Sequence, residues 1–263
     1  MNSQAEADKY NEFARFAQQL ADSARDVSLR YFRKELDVEH KADDSPVTIA
    51  DRETEEVMRS LIISTYPDHG LYGEEHGAVG ADRTYTWVID PIDGTKSFIT
   101  GMPLYGTLIA LLKDGKPVVG IVDMPALGER WVGVTGKPTT FNGVPVTTRK
   151  TSKLAEAVWY TTSPDLFQGK DESVYAAMCR SASLRRFGGD CYAYGLLTSG
   201  FVDLVIEAQL QPYDYLSLVP VIEGAGGRIT DWKGDPLGLH SSGHVLACAT
   251  PALHDEALVL TAS

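Results

Sequence analysis

The sequence predicts an α/β protein: an α+β lobe over 1–150 followed by an α/β lobe over 151–263. Two amphipathic helical patterns precede the first strand, three strand-like runs then follow one another with no helix between them, and beyond residue 150 strands and helices alternate. In the first pattern, over 5–36, Tyr10, Phe13, Ala17, Leu20, Ala24, Val27 and Tyr31 recur at three- or four-residue spacing and form one apolar stripe. A polar stretch leads to Thr48-Ile49-Ala50-Asp51, a capping signature before a helix carrying Val57, Met58, Leu61 and Ile62 and stopped by Pro67.

The apolar run Trp87-Val88-Ile89 is a strand, and the runs at 105–113 and 117–123 are joined through Asp114-Gly115, with 130–134 adding a third antiparallel strand. Segment 136–150 reads as turns. Strands then fall at 157–161, 184–187, 202–207, 228–230 and 245–249, and helices at 171–180, 191–199, 215–225 and 252–260; Gly200, Gly226 and Gly227 close two of these helices. No repeat or low-complexity linker interrupts the chain, so the lobes should share an interface.

A chain of 263 residues buries a full core, and 43% hydrophobic with 23% charged residues is ordinary for a globular protein. A net charge of −12 argues against nucleic acid as partner, because phosphate neutralisation needs a basic face. No apolar run is long enough for a membrane span and residues 1–8 lack a secretory pattern, so the expected location is cytoplasmic. Cys179, Cys191 and Cys248 lack CxxC spacing and read as reduced thiols, and His240 and His244 flank a loop rather than lying on a helix, which disfavours zinc.

Chemistry concentrates in Asp90-Pro91-Ile92-Asp93-Gly94-Thr95. A strand ending in two carboxylates is costly unless a cation neutralises them, and free N–H groups where Gly94 and Thr95 open a helix favour an anion. Taken alone, the motif is also compatible with an Asx-Pro turn in which Asp93 caps a helix. Gly73-Glu74-Glu75-His76-Gly77 adds a loop acidic pair, which alone also reads as solvated surface charge, and Asp214 lies near a strand-to-helix transition, where it equally fits a helix cap. Together these carboxylates make two-metal phosphoester hydrolysis the economical reading.

Gly-Glu-Glu at 73–75, Asp-Pro-Ile-Asp-Gly-Thr at 90–95 and the segment from Asp214 to Gly226-Gly227 resemble the inositol monophosphatase superfamily of Mg²⁺-dependent, lithium-sensitive phosphatases. Residues 96–107 and Gly189-Asp190-Cys191-Tyr192 are most similar to its histidinol-phosphate phosphatase branch. The resemblance implies a layered α-β-α-β-α sandwich, a homodimer, and two or three Mg²⁺ ions acting on a small phosphorylated substrate. It also implies that Glu74, Asp90 and the Ile92 carbonyl hold one ion, and that Asp90, Asp93 and Asp214 hold a second. Thr95 with Asp51 would orient or deprotonate the attacking water, and the Gly94 and Thr95 N–H groups would bind the phosphate.

Asp51 also fits a plain helix cap by local pattern, and Lys41 resembles the family's flexible basic residue near the phosphate. Substrate choice is expected from Asp190 and Glu207, whose carboxylates suit the ammonium of histidinol phosphate; for Asp190 the competing expectation is an N-cap of the helix at 191. Inositol monophosphate is the nearest alternative substrate. A broad sugar-phosphate phosphatase and a non-catalytic metal- or phosphate-binding regulator are further alternatives.

Overall fold

The computed structural model describes residues 3–35, 37–40 and 46–261; Lys41 lies outside them. The chain runs through α1 (Ser3–Tyr31), β1 (Glu39–His40), β2 (Pro46–Val47), α2 (Ile49–Thr65), β3 (Gly70–Gly73), β4 (Gly77–Val79), β5 (Tyr85–Asp93) and α3 (Thr95–Ile99). Next come β6 (Gly106–Lys113), β7 (Lys116–Met124), β8 (Glu129–Val134), β9 (Thr140–Phe141), β10 (Val144–Pro145), β11 (Val158–Thr161), α4 (Asp171–Ser181) and β12 (Leu184–Phe187). It ends with α5 (Cys191–Thr198), β13 (Leu204–Glu207), α6 (Pro212–Tyr215), α7 (Leu218–Gly224), β14 (Arg228–Thr230), β15 (Val245–Cys248) and α8 (Pro251–Thr261).

Strand alternation builds five layers. An eight-stranded sheet, ordered β10-β9-β8-β7-β6-β5-β3-β4, turns Trp87, Ile89, Ile109, Leu111 and Ile121 toward α1 and α2, and Val88, Leu108, Ala110 and Val122 toward α5, α6 and α7. Val205, Val245 and Ala247 of a five-stranded sheet, β12-β11-β13-β15-β14, cover that middle helical layer from the far side; Leu204, Ile206, Leu246 and Cys248 face α4 and α8. The expected α-β-α-β-α sandwich is therefore present, and its middle core contains residues from both halves of the chain. On α1, Phe13 at 1% exposure and Leu20 at 0% each contribute about 1.5–3 kcal/mol by leaving water. Gly120 of β7 pairs with Gly133 of β8, and a Cβ at either would overlap the backbone of Ser217 or Pro220, so α7 rests directly on the sheet.

Four expectations need correction. Helix α1 stops at Tyr31 rather than 36, and Arg33 beyond it has a φ of 59°. Strands β3 and β4 flank the acidic loop, and the stretch expected to be turns holds the β9–β10 hairpin, whose Asn142 and Gly143 both have positive φ. The single helix expected over 215–225 begins earlier and is split. Its backbone stays helical through Leu216 and Ser217, but Pro220 has no N–H to offer the Leu216 carbonyl, so the hydrogen-bond ladder is interrupted.

Candidate active site

The site forms where β3, β5 and β13 end and where α2, α3, α5 and α6 begin. A bulge creates its centre. Between Asp90 and Asp93 the β5–β6 register shifts, Asp90 opposing Leu108 and Asp93 opposing Gly106, so three steps on one strand match two on the other. In a regular strand residues three apart face opposite sides; the extra residue turns both carboxylates the same way. Gly94 follows at φ 79°, a left-handed turn that starts α3, with Asp190 so close that an added Cβ would sit 2.9 Å from Asp190 Oδ2.

Four aspartates of the site are each held by a backbone N–H. Asp51 Oδ2 accepts from Thr48 N at 2.7 Å in a capping box, and Asp214 Oδ2 accepts from Gln211 N at 2.7 Å in another. Asp93 Oδ2 accepts from Cys191 N at 2.8 Å, and Asp90 Oδ1 from Ile92 N at 3.0 Å. Capping and site chemistry are thus not alternatives here: a backbone N–H, at a helix cap for Asp51, Asp93 and Asp214 and at a local turn for Asp90, aims each carboxyl by one oxygen. Asp51 turns its other oxygen, Oδ1, toward Thr95 Oγ1 at 3.5 Å, while that hydroxyl also lies 3.1 Å from the Ile92 carbonyl. One hydrogen serves two acceptors, and the Ile92 carbonyl is the nearer.

Carboxylate oxygens of Asp90, Asp93 and Asp214 lie within 4.8 Å of one another. Burial pushes the Asp90 and Asp93 carboxyls well above the usual range, and Asp214 up to about 7; neighbouring Glu74, Asp93 and Asp214 raise Asp90 further. Glu74, Asp93 and Asp214 crowd Asp90 with like charge, an arrangement that ionised carboxylates tolerate only with a shared proton or cation. All-oxygen donors crowded in this way fit a hard divalent cation such as Mg²⁺, with the buried Ile92 carbonyl as an additional donor.

Beside the cluster lies a cavity of about 130 Å³ lined by Asp93, Thr162, Asp190, Tyr194, Glu207 and Asp214, among others. Glu207 Oε1 accepts from Thr162 N at 2.7 Å and Oε2 from the Tyr194 hydroxyl at 3.1 Å, and burial lifts its carboxyl to about 7. Asp190 is at the N-terminus of α5 with φ 44°, but its side chain makes no capping bond; Asp93 performs that task, and Asp190 Oδ2 instead accepts from Ser97 Oγ at 2.8 Å. The expectation of Asp190 as a side-chain cap is corrected accordingly. A larger depression of about 680 Å³ around Arg83, Asp114 and Lys233, beyond the opposite end of β5, contains none of these residues.

The inositol monophosphatase family model matches residues 9–262. The chain belongs to that family. It is a metal-dependent phosphatase. It is 49% identical over 257 residues to the bifunctional phosphatase IMPL2, chloroplastic, of Arabidopsis thaliana, covering 94% of this chain and 74% of that protein. A histidinol-phosphatase of Chlorobaculum parvum is 39% identical over 223 residues, covering 83% and 85% of the two chains. The solved inositol monophosphatase of Zymomonas mobilis superposes with a TM-score of 0.89 at 44% identity, covering 97% and 99%. Among the described residues, no helix is long and apolar enough to cross a membrane.

The fold thus gathers Asp90, Asp93 and Asp214 into one cluster, with Glu74 against it, Thr95 beside Asp51, and Asp190 with Glu207 on one cavity. Sequence reasoning missed Tyr194, Thr162 and Glu55, whose buried carboxylate accepts the Glu75 and His76 N–H groups beside Glu74. Tyr194 shares a helix with Asp190, and Glu55 repeats Asp51 at helical spacing, so periodicity offered a signal for both. Thr162 acts through its backbone N–H, which no side-chain pattern reveals.

Proposed function

We propose that the protein is a Mg²⁺-dependent phosphatase that hydrolyses histidinol phosphate to histidinol and phosphate. The observation that carries this reading is the pair of carboxyls, half-buried Asp190 and buried Glu207, on the cavity beside the acidic cluster. Two acids on one cavity wall match a cationic leaving group, whereas a neutral polyol supplies no charge to pair with them. Glu74, Asp90 and the Ile92 carbonyl would hold one ion and Asp90, Asp93 and Asp214 another. When bound, these ions supply neutralising charge and polarise the phosphate ester and the attacking water.

The chain's own residues complete the reaction. Thr95 orients the water, and the buried Asp51 carboxylate, whose proton affinity burial raises, takes its proton. The Gly94 and Thr95 N–H groups, at the turn that opens α3, would stabilise the charge on the phosphate oxygens as the water oxygen bonds to phosphorus and the ester P–O bond breaks in line with it. The leaving alkoxide takes a proton from a solvent water, the hydroxide so formed being neutralised by the proton that Asp51 took from the nucleophile, and Asp190 with Glu207 retains the ammonium of the departing histidinol. A second reading, inositol monophosphate hydrolysis at the same site, is supported by the likeness to the Zymomonas mobilis inositol monophosphatase. Phosphate release from both esters, with and without Mg²⁺, decides between them. The expected kcat/KM favours histidinol phosphate by about tenfold or more, one charge-assisted contact; equal or reversed preference overturns the assignment.

A further inference from the structure

Glu55 lies one helical turn beyond Asp51 on α2 and is wholly buried. Its Oε2 accepts the Glu75 N–H at 2.6 Å and its Oε1 accepts the His76 N–H at 3.1 Å. Arg59, a further turn along, donates from Nη1 to Glu55 Oε1 at 3.1 Å and to the Gly77 carbonyl at 3.0 Å. Gly73 closes the arrangement from the other side, since a Cβ there would overlap the Glu55 carboxylate. The residues on both sides of Glu74 are therefore fixed against α2, and the Arg59 guanidinium balances the charge of Glu55 locally.

We propose that Glu55, with Arg59 and Gly73, is a positioning residue for divalent-cation binding: it presets the 73–77 loop so that Glu74 meets the Asp90 cluster before a cation arrives. This inference rests on the reading of Glu74 as a metal ligand. The physical gain is in order. A ligand on a loose loop must lose backbone and side-chain freedom when it binds, at about 1–2 kcal/mol for each residue's backbone. Here the loop's bonds to α2 use the Glu75 and His76 N–H groups and the Gly77 carbonyl, none of which is a ligand atom of the proposed cation site. The same helix face carries Asp51 to Thr95, so α2 holds the water-activating carboxylate and the Glu74 loop in fixed relation.

The test is Mg²⁺ titration of the EDTA-treated protein by calorimetry, with Glu55→Gln and Gly73→Ala reaching the contact from opposite sides. Gln keeps the shape of Glu55 but sets an amide NH₂ against an N–H donor and removes the charge facing Arg59. Ala at Gly73 pushes the carboxylate out of place. Each substitution should raise the Mg²⁺ midpoint about tenfold or more, the range found when a group that orients a ligand is lost. The double variant should be no worse than the weaker-binding single, because both break one contact, and the rate lost at limiting Mg²⁺ should return at high Mg²⁺.

An unchanged Mg²⁺ midpoint in both variants, whatever their thermal stability, overturns the proposal and leaves Glu55 a hairpin support. Glu74→Gln separates the two levels. If it weakens Mg²⁺ binding while Glu55→Gln does not, the metal reading stands and this inference falls; if it leaves binding unchanged, both fall. Should Glu55→Gln not fold, Arg59→Gln removes only the guanidinium bonds to Oε1 and Gly77 and carries the same expectation.

Discussion

Asp123 and Asp90 are both buried aspartates of the same sheet, yet their surroundings are opposite. Asp123 is clasped by Arg25, at 2.5 and 3.2 Å, and by Arg130 at 2.6 Å. Asp203 likewise holds Arg149 at 3.0 Å and the Val158 N–H at 2.8 Å, and Glu55 holds Arg59. Asp90 instead faces Glu74, Asp93 and Asp214, and every charged group among its leading influences is another acid. The protein neutralises its structural carboxylates with its own arginines and leaves the site carboxylates to be neutralised from outside. Burial alone therefore does not mark a functional acid; the sign of its neighbours does.

The sharpest break of that contrast is one substitution in each region. Asp93→Asn or Asp214→Asn should lose more than about a hundredfold in kcat while staying folded, since even residues that only orient a metal ligand cost 10–100-fold. Asp123→Asn should do the reverse, costing about 3 kcal/mol of stability by stripping a buried pair, with turnover retained. Normal turnover in Asp93→Asn, at saturating Mg²⁺, would end the distinction. Thr95→Ala should cost about a hundredfold, the lower range of general-base assistance, and Thr95→Ser about tenfold or less because it keeps the hydroxyl. Equal rates for these two variants would remove Thr95 from water activation.

The leaving-group pocket sharpens the comparison, because Asp190 bonds to Ser97, and Glu207 to Thr162 and Tyr194, rather than to an arginine. Asp190→Asn should lower kcat/KM for histidinol phosphate by about 1.5–3 kcal/mol, roughly tenfold to 150-fold, and spare β-glycerophosphate, which has no ammonium. Steady-state rates on both esters check this. An equal loss on both, or none on either, would take Asp190 out of substrate choice.

Site chemistry was legible in the sequence where one short run carries it. Asp90 to Thr95 supplies a strand end, two acids, a glycine turn and a hydroxyl within six residues, and composition cannot scatter these. The bulge that turns Asp90 and Asp93 to one side was not legible, because it is set by pairing with Leu108 and Gly106 from a different strand. The helix stripes on α1 and α2 were readable because 3.6-residue periodicity survives over several turns, whereas β3 and β4 are too short and glycine-rich to show a period of two. The start of α6 was readable in principle: Gln211-Pro212-Tyr213-Asp214 carries proline at the first helical position and a capping acid at the third. Asp190 shows the opposite limit, since its neighbour in sequence is capped by Asp93, a residue from the other end of the site.

The central claim, that the Asp90, Asp93 and Asp214 cluster is built for an external cation, is tested most directly by thermal unfolding of the metal-free protein. Asp214 titrates at about 7 in the fold against 3.8 for an unburied aspartate, so its contribution is present at low pH and lost as pH rises through 7. Glu207, also near 7, adds in the same direction, and His254, lowered by burial from 6.5 to about 4, acts in the opposite direction between those two values and adds little across the window from pH 6.5 to 8.5. In EDTA, Tm should fall across that window, and Mg²⁺ should restore more stability at pH 8.5 than at pH 6.5. Asp214→Asn should have a higher metal-free Tm than the parent protein at pH 8.5 and gain little from Mg²⁺, because the amide keeps the bond to Gln211 and removes the charge. A lower metal-free Tm for Asp214→Asn, with Mg²⁺ stabilisation intact, would contradict the account.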